Sequence, residues 1–597
     1  MSENITSKKP GVMHTFFRLL PMVFKSAPTL FAISNLFNIL HGFSWGILAL
    51  FRQRFFDSAS ALATGGSLAY RTAADLMTWG LVITACQVLN GVGNFLPGRF
   101  VDKSSGGLSL LLQQKVARIP AVSFENPAIL DELNKAREGQ KSAGWLVFDI
   151  MIIPTFYIPY FILMALYLYS LKPVLVWAVL IVFIPTAMTQ IVRTKILSRY
   201  EDDAAPIRRK QEYYEKCIAD REYFKETRLL GAFAFFRGLY RDSLLLASKL
   251  RLRAENRSNL YELSMKLITV AGYLSIVYLL FDALMKQEIS MGAFAAVTAS
   301  IDALFGLMEE AVCMHMTEIS KGLGTSSNLL MFLDLPERGG GLLLPTNGEI
   351  HAENISFSYP GSDKKAVNGV SLEIKSGETV AVVGENGSGK TTLVRLLTGI
   401  YIPNEGEVLI GGSDTRLASQ EALFSKTSAV FQHYQHYKMT LRDNISISDV
   451  VENSDDEILD EKAVLADMNI SADSFPAKYD TLLSREFGGT ELSVGQWQRV
   501  AIARGLFRSH EIIVLDEPTA AIDPVEESRI YERFAALSKG KTAIIVTHRL
   551  GSVRMVDRIL MLKDGRLIEE GKHDDLVAVG GAYAKMYHSQ EEMYSNN

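Results

Sequence analysis

Cysteine is scarce, with only Cys86, Cys217 and Cys313 in 597 residues. Three thiols build no disulfide framework, and their spacing makes no CxxC metal pair. Neither sign of charge is in excess, since 61 Lys and Arg stand against 66 Asp and Glu for a net charge of −5. That balance excludes the strongly basic surface of a nucleic-acid binder. A cleavable signal pattern is also lacking: the polar start holds no short apolar run followed by small residues. Disordered and fibrous chains are excluded too, because 48% of the residues are hydrophobic.

What the chain has is segregated apolar sequence. Mean hydropathy is +0.13 even though 21% of residues are charged. A bilayer core about 30 Å thick needs about 20 mostly apolar residues per helix. Six stretches qualify, near Pro28–Phe51, Ala74–Pro97, Trp145–Tyr169, Val174–Ile191, Leu263–Met285 and Met291–Val312. Sixteen Lys or Arg fall between residues 193 and 260, and seven more between 99 and 143. The opposite-side loops are poorer in basic residues, so the N-terminus, both long loops and everything after the sixth stretch are expected on the cytoplasmic side. The mixed-charge segments Asn126–Lys141 and Arg193–Arg257 read as helices that carry the spans beyond the bilayer.

The composition changes after Phe332. Arg338-Gly-Gly-Gly341 and Pro345-Thr-Asn-Gly348 are turn-rich and mark a linker. Beyond it, β-branched runs such as Thr379–Val383, Ile512–Leu515 and Ala543–Val546 alternate with helical patterns. This alternation predicts a parallel sheet with helices on both faces. The expected division is a membrane domain over 1–335, a linker over 336–347 and a soluble α/β domain over 348–597.

The soluble half carries a phosphate loop between strand and helix: Gly384, Glu385, Asn386, Gly387, Ser388, Gly389, Lys390 and Thr391, then Thr392. Glycines let backbone N–H groups curl into an anion nest, and the following helix N-terminus adds partial positive charge. Lys390 is placed to reach the β- and γ-phosphates, and the Thr391 hydroxyl to hold Mg²⁺. The apolar run Ile512–Leu515 ends in Asp516 and Glu517. Asp516 suits the Mg²⁺ shell, and Glu517 suits a general base acting on the attacking water.

With these motifs in hand, the chain resembles the ATP-binding cassette transporters, specifically an exporter-type half-transporter whose membrane domain precedes one P-loop nucleotide-binding domain. The resemblance assigns Tyr359 to adenine stacking and Gln432 to the Mg²⁺ and water network. It makes Leu492-Ser-Val-Gly-Gln496 the family signature, in which Ser493, Gly495 and Gln496 meet nucleotide while Val494 stands where the family usually has glycine. Ala520–Asp523 becomes the dimer-facing loop, and His548 the switch histidine at the γ-phosphate. It places short coupling helices near Val122–Leu130 and Ala232–Arg241, the second bearing Phe233, Phe235 and Phe236. His433 and His436 read as solvated surface.

One phosphate loop and one signature per chain imply a dimer, expected as a homodimer with a heterodimer as the alternative. The implied ligands are ATP and Mg²⁺, and the implied location is a bacterial cytoplasmic membrane with the ATP-binding domain in the cytoplasm. Membrane lipid and a transported small peptide or natural product are the expected partners, and nucleic acid is not. Polar residues inside spans mark a pathway. Asn38 and His41, Asn90, and the pair Asp302 and Glu309 are therefore expected to line a mildly anionic cavity. Phe487–Arg499, with Trp497 after the signature, looks like bacterial exporters found with ribosomal peptide antibiotics. The roughly 25 residues ahead of the first span leave no room for a fused leader-cleaving protease. Competing expectations are a lipid or multidrug exporter, or an importer of the same architecture.

Overall fold

The computed structural model describes residues 11–66, 68–220, 222–341, 347–450, 454–517, 540–548 and 550–595. Two compact units divide the chain: Ile5–Gln114 with Glu132–Asp334, and Met1–Asn4 with Lys115–Asp131 and Leu335–Asn597.

The first unit is helical. Its elements are α1 (Val12–Ser26), α2 (Pro28–Ala63), α3 (Ala69–Arg118), α4 (Pro127–Leu171), α5 (Pro173–Ala219), α6 (Phe224–Leu229), α7 (Phe233–Met285) and α8 (Met291–Leu333). All but α1 and α6 are long and apolar enough to cross a membrane. The 50 residues of α3 make about 75 Å of helix, well over the thickness of a bilayer core. Helix α5 packs along α7, and α2 packs against α4 and α8. A Cβ on Gly42 would sit 2.4 Å from the Phe156 carbonyl oxygen, so only glycine lets α2 press this closely on α4. Helices α4 and α8 each widen into a π-helical turn, at Ile153–Tyr157 and Glu310–His315.

Two features here differ from the sequence reading. The polar N-terminal segment contains α1, which buries Phe16, Leu19 and Val23 on one face. Its Arg18 pairs with Asp334 through two 2.7 Å hydrogen bonds. The short helix expected near Ala232–Arg241 lies earlier in the chain, as α6 at Phe224–Leu229, and Phe233–Arg241 is the start of the long α7.

The second unit holds two sheets. Its strands are β1 (Ile350–Ser358), β2 (Lys365–Ile374), β3 (Thr379–Val383), β4 (Glu405–Ile410), β5 (Ser413–Asp414), β6 (Thr427–Val430), β7 (Ile512–Asp516), β8 (Thr542–Val546), β9 (Arg558–Lys563) and β10 (Arg566–Gly571). One sheet runs β10-β9-β3-β8-β7-β6, parallel except for the terminal β9–β10 hairpin. The other runs β2-β1-β4-β5 and is antiparallel. Strands β3, β7 and β8 are buried at every position, as parallel strands covered on both faces must be.

Alternate residues of β3 feed two cores. Ala381 and Val383 join the cluster of Trp497, Phe507 and Leu515, while Val380 and Val382 join Leu393, Ile355 and Phe357. The sequence predicts helices on both faces, and the second core contains the antiparallel sheet as well as the helix α9 (Lys390–Leu397). The reason lies in β2, where buried and exposed positions largely alternate, giving the strand one apolar face.

Candidate functional site

The phosphate loop takes its shape from backbone that side chains resist. Gly387 and Gly389 have φ of 80° and 100°, in the region that favours glycine. A Cβ on Gly389 would also lie 2.3 Å from the Ala366 carbonyl oxygen. Helix α9 starts directly after it, and its first backbone bond runs from Leu393 N–H to Gly389 O at 2.8 Å. The amides ahead of Leu393 have no partner within the helix and stand at its positive end. The Ser388 Oγ is buried with no hydrogen-bond partner among the described residues. An orphaned hydroxyl beside a glycine-lined helix N-terminus fits a phosphate oxygen.

Carboxylates meet this loop from β7. The Thr391 hydroxyl donates to Asp516 Oδ1 at 3.2 Å. Lys390 Nζ donates to the carbonyls of Gly384 and Glu385 at 3.0 and 3.1 Å and lies 3.8 Å from Glu517 Oε1. Gln432 Nε2 donates to Glu517 Oε2 at 3.1 Å. His548 Nδ1 lies 3.4 Å from Glu517 Oε1 without the alignment of a hydrogen bond. Glu517 thus gathers Lys390, Gln432 and His548, and it does so with a backbone φ of 43°. A non-glycine residue there is strained, and such strain concentrates at functional sites.

Burial sets the electrostatics. It pushes the Lys390 ammonium below the usual lysine range, against the pull of Glu517 and Asp516. It pushes the Asp516 carboxyl above the usual range, against the Thr391 hydrogen bond. Desolvation disfavours the charged form of each group. A phosphate beside Lys390 and a cation beside Asp516 would each favour it. The oxygens of Thr391, Asp516 and Gln432 are the donor set that would hold Mg²⁺, whose charge would offset that of the phosphates.

Tyr359 stands edge-on to Phe357 and Tyr401, and its hydroxyl bonds the Thr392 hydroxyl at 2.9 Å. The sequence reading missed Tyr401. Its ring stacks on Phe357, and its hydroxyl donates to Glu125, which also meets Arg395 at 3.2 Å. Glu125 ends a short 3₁₀ turn, Ala121–Glu125, whose Ala121 and Val122 pack on the same core. A contiguous path therefore runs from Tyr359 to one of the segments expected to couple. No local pattern marks Tyr401, because Phe357 and Glu125 are far away in sequence.

Among the described residues, the signature residues share no hydrogen bond with the cluster around Glu517. Ser493 caps the helix α10 (Val494–Phe507) in a reciprocal capping box with Gln496, whose Nε2 donates to Ser474 at 2.9 Å. Gly495 has open space where a Cβ would be, and Val494 is exposed. His433 and His436 are both exposed, and His436 also stacks flat on Trp497 with centroids 4.5 Å apart. Ala520–Asp523 lie outside the described residues.

In the membrane unit, helix packing buries two of the five polar residues expected to line a cavity. Asn38 and His41 are buried facing Gly93 of α3, where His41 accepts from Trp45 at 2.8 Å and packs against the Phe156 ring. Asn90 accepts from Asn94 within α3 at 3.3 Å. Asp302 is exposed and does not line one large cavity of this unit. Glu309 does line it. That cavity measures about 1270 Å³ and lies among α5, α7 and α8. Sequence reasoning also missed Asp149 and His315, which bond at 2.8 Å in the interior. An aspartate inside the Trp145–Tyr169 span was the available signal.

Residues 367–520 match the family described as ABC transporter. The chain is 28% identical over 524 residues to the subtilin transport ATP-binding protein SpaT of Bacillus subtilis, covering 85% of this chain and 83% of that one. It is 34% identical over 315 residues to the ATP-dependent lipid A-core flippase of Haemophilus ducreyi, covering 52% and 53% of the two chains. The nisin transport ATP-binding protein NisT of Lactococcus lactis is 35% identical over 255 residues, covering 42% of each. The fold is that of a bacterial Atm1-family ABC exporter solved with ATP bound, at TM-score 0.74 and 22% identity, covering 97% of this chain and 98% of that one.

Proposed function

Because the chain is an ABC transporter of the exporter kind, an ATPase coupled to transport, we propose that it exports a peptide or peptide-like amphipathic natural product. In this reading two copies share each ATP. Lys390, Thr391 and Gln432 bind the phosphates and Mg²⁺ from one copy, and Ser493 and Gly495 close the site from the other. Glu517 takes the proton of the attacking water, and His548 contacts the γ-phosphate. The dimer inference is supported by the separate bonding of the signature: Ser493 and Gln496 bond each other and Ser474, not the cluster around Glu517. A site with its closing half pointed elsewhere calls for a second copy.

The exposed Leu229, Leu230, Phe233 and Phe235 offer that second copy an apolar knob for coupling. The expected location is a bacterial cytoplasmic membrane with the ATP-binding unit in the cytoplasm.

The observation that carries the cargo reading is the reach of the SpaT likeness over most of both chains, membrane unit included. The flippases match over about half of this chain. Inside-out proteoliposomes test the reading. An amphipathic peptide should accumulate in the lumen with ATP, and not with ADP or with the Glu517→Gln chain. Fluorescent lipid that changes leaflet with ATP, with no peptide uptake, would replace this reading by a flippase.

A further inference from the structure

The wall of the membrane-unit cavity has an unequal pairing of charges. Arg208 pairs with Glu201 at 2.9 Å, Arg251 with Glu255 at 2.8 Å, and Lys321 with Glu318 at 2.9 Å. Arg193 faces Glu262 at 3.6 Å, and Glu262 also holds Lys266 at 2.9 Å in an adjoining cavity of about 190 Å³. Among the described residues, every cation lining either cavity is thus taken by a carboxylate other than Glu309 or Glu310. Those two carboxylates line the larger cavity with no ion pair of their own, and Glu309 lines the smaller one as well.

Behind them the protein is built, not loose. Glu310 opens the π-helical turn Glu310–His315, and Tyr157 closes the turn Ile153–Tyr157. Such turns insert an extra residue and recur at functional sites. Tyr157 is buried, and its hydroxyl meets His315 Nε2 at 3.0 Å. His315 Nδ1 in turn meets Asp149 at 2.8 Å. The chain Asp149–His315–Tyr157 therefore anchors the π-helical turn that Glu310 opens.

We infer that Glu309 and Glu310 read the charge of the cargo, and that the cavity selects molecules carrying an ammonium or guanidinium group. Tyr157, His315 and Asp149 are positioning residues. A carboxylate pair with no cation, in a cavity where the spans pass into their charged extensions, is stabilised by whatever cation the cargo brings. This inference rests on the export reading and names the chemical class of its substrate.

The test is equilibrium binding to the full chain in nanodiscs of zwitterionic lipid, read by fluorescence anisotropy. The probes are a labelled amphipathic peptide with lysines and the same peptide with glutamine at each lysine. Wild-type protein should bind the lysine probe about tenfold or more tightly, the scale of a charge-assisted hydrogen bond. The Glu309→Gln/Glu310→Gln variant should bind both alike, while the double Asp variant recovers the preference and Asp302→Asn keeps it. Tyr157→Phe should weaken the lysine probe and leave the glutamine probe alone, which a general loosening of the helices would not do. Equal binding of both probes by wild type, or an undiminished preference in the double Gln variant, overturns the inference. ATP turnover measured on the same samples keeps the two readings apart, since an active ATPase with no charge preference would leave the export reading standing.

Discussion

Glu517→Gln chains hydrolyse ATP about a thousandfold more slowly than wild type and retain the nucleotide. The factor is that of a lost general base, about 10²–10⁴. Glutamine keeps the shape, so the contact from Gln432 at 3.1 Å survives by an amide turn. It cannot take a proton from water. It also removes a negative charge 3.8 Å from Lys390, where the γ-phosphate is expected, so ATP should be held at least as tightly. The measurement is phosphate release at saturating ATP beside retained radiolabelled nucleotide. A wild-type rate in this variant would remove Glu517 from the role.

Lys390→Ala should cost ATP affinity at least about a hundredfold, because two charge-assisted hydrogen bonds at about 1.5–3 kcal/mol each disappear together. The ammonium is buried and held by the loop carbonyls of Gly384 and Glu385. Alanine therefore leaves those acceptors without a donor as well as the phosphates. Lys390→Arg should not rescue binding, since the planar guanidinium is bulkier than the buried ammonium it replaces. Titration with a fluorescent ATP analogue reads both variants. Near-wild-type affinity in the alanine variant would mean that the backbone nest alone holds the phosphates.

Much of this site was legible because its parts are local. Strand, glycine loop and helix are contiguous from Thr379 to Leu397, and Asp516 with Glu517 end a strand that needs no partner to be seen. The parallel sheet then brings the ends of β3, β8 and β7 together, so residues remote in sequence meet at one edge. The contacts of Tyr401 with Glu125 and of His315 with Asp149 join distant segments, and no periodicity foretells such pairs. For Asn38 and His41 the cavity expectation failed for a related reason. Helical spacing tells that Asn38 and His41 lie near one face, but not that this face packs against Gly93 and Phe156. Helix α1 escaped notice because one buried stripe of Phe16, Leu19 and Val23 is diluted by polar neighbours.

The central claim is that ATP is held between the phosphate loop of one copy and the signature of another. Disulfide trapping tests it most directly, in a Glu517→Gln chain with its native cysteines replaced and carrying Glu385→Cys and Val494→Cys. Oxidation with ATP should join two chains into a covalent dimer, and oxidation without nucleotide should join few. ATP bound at full affinity with no bond between chains, or wild-type-rate hydrolysis by an isolated monomer carrying Glu517, would contradict it.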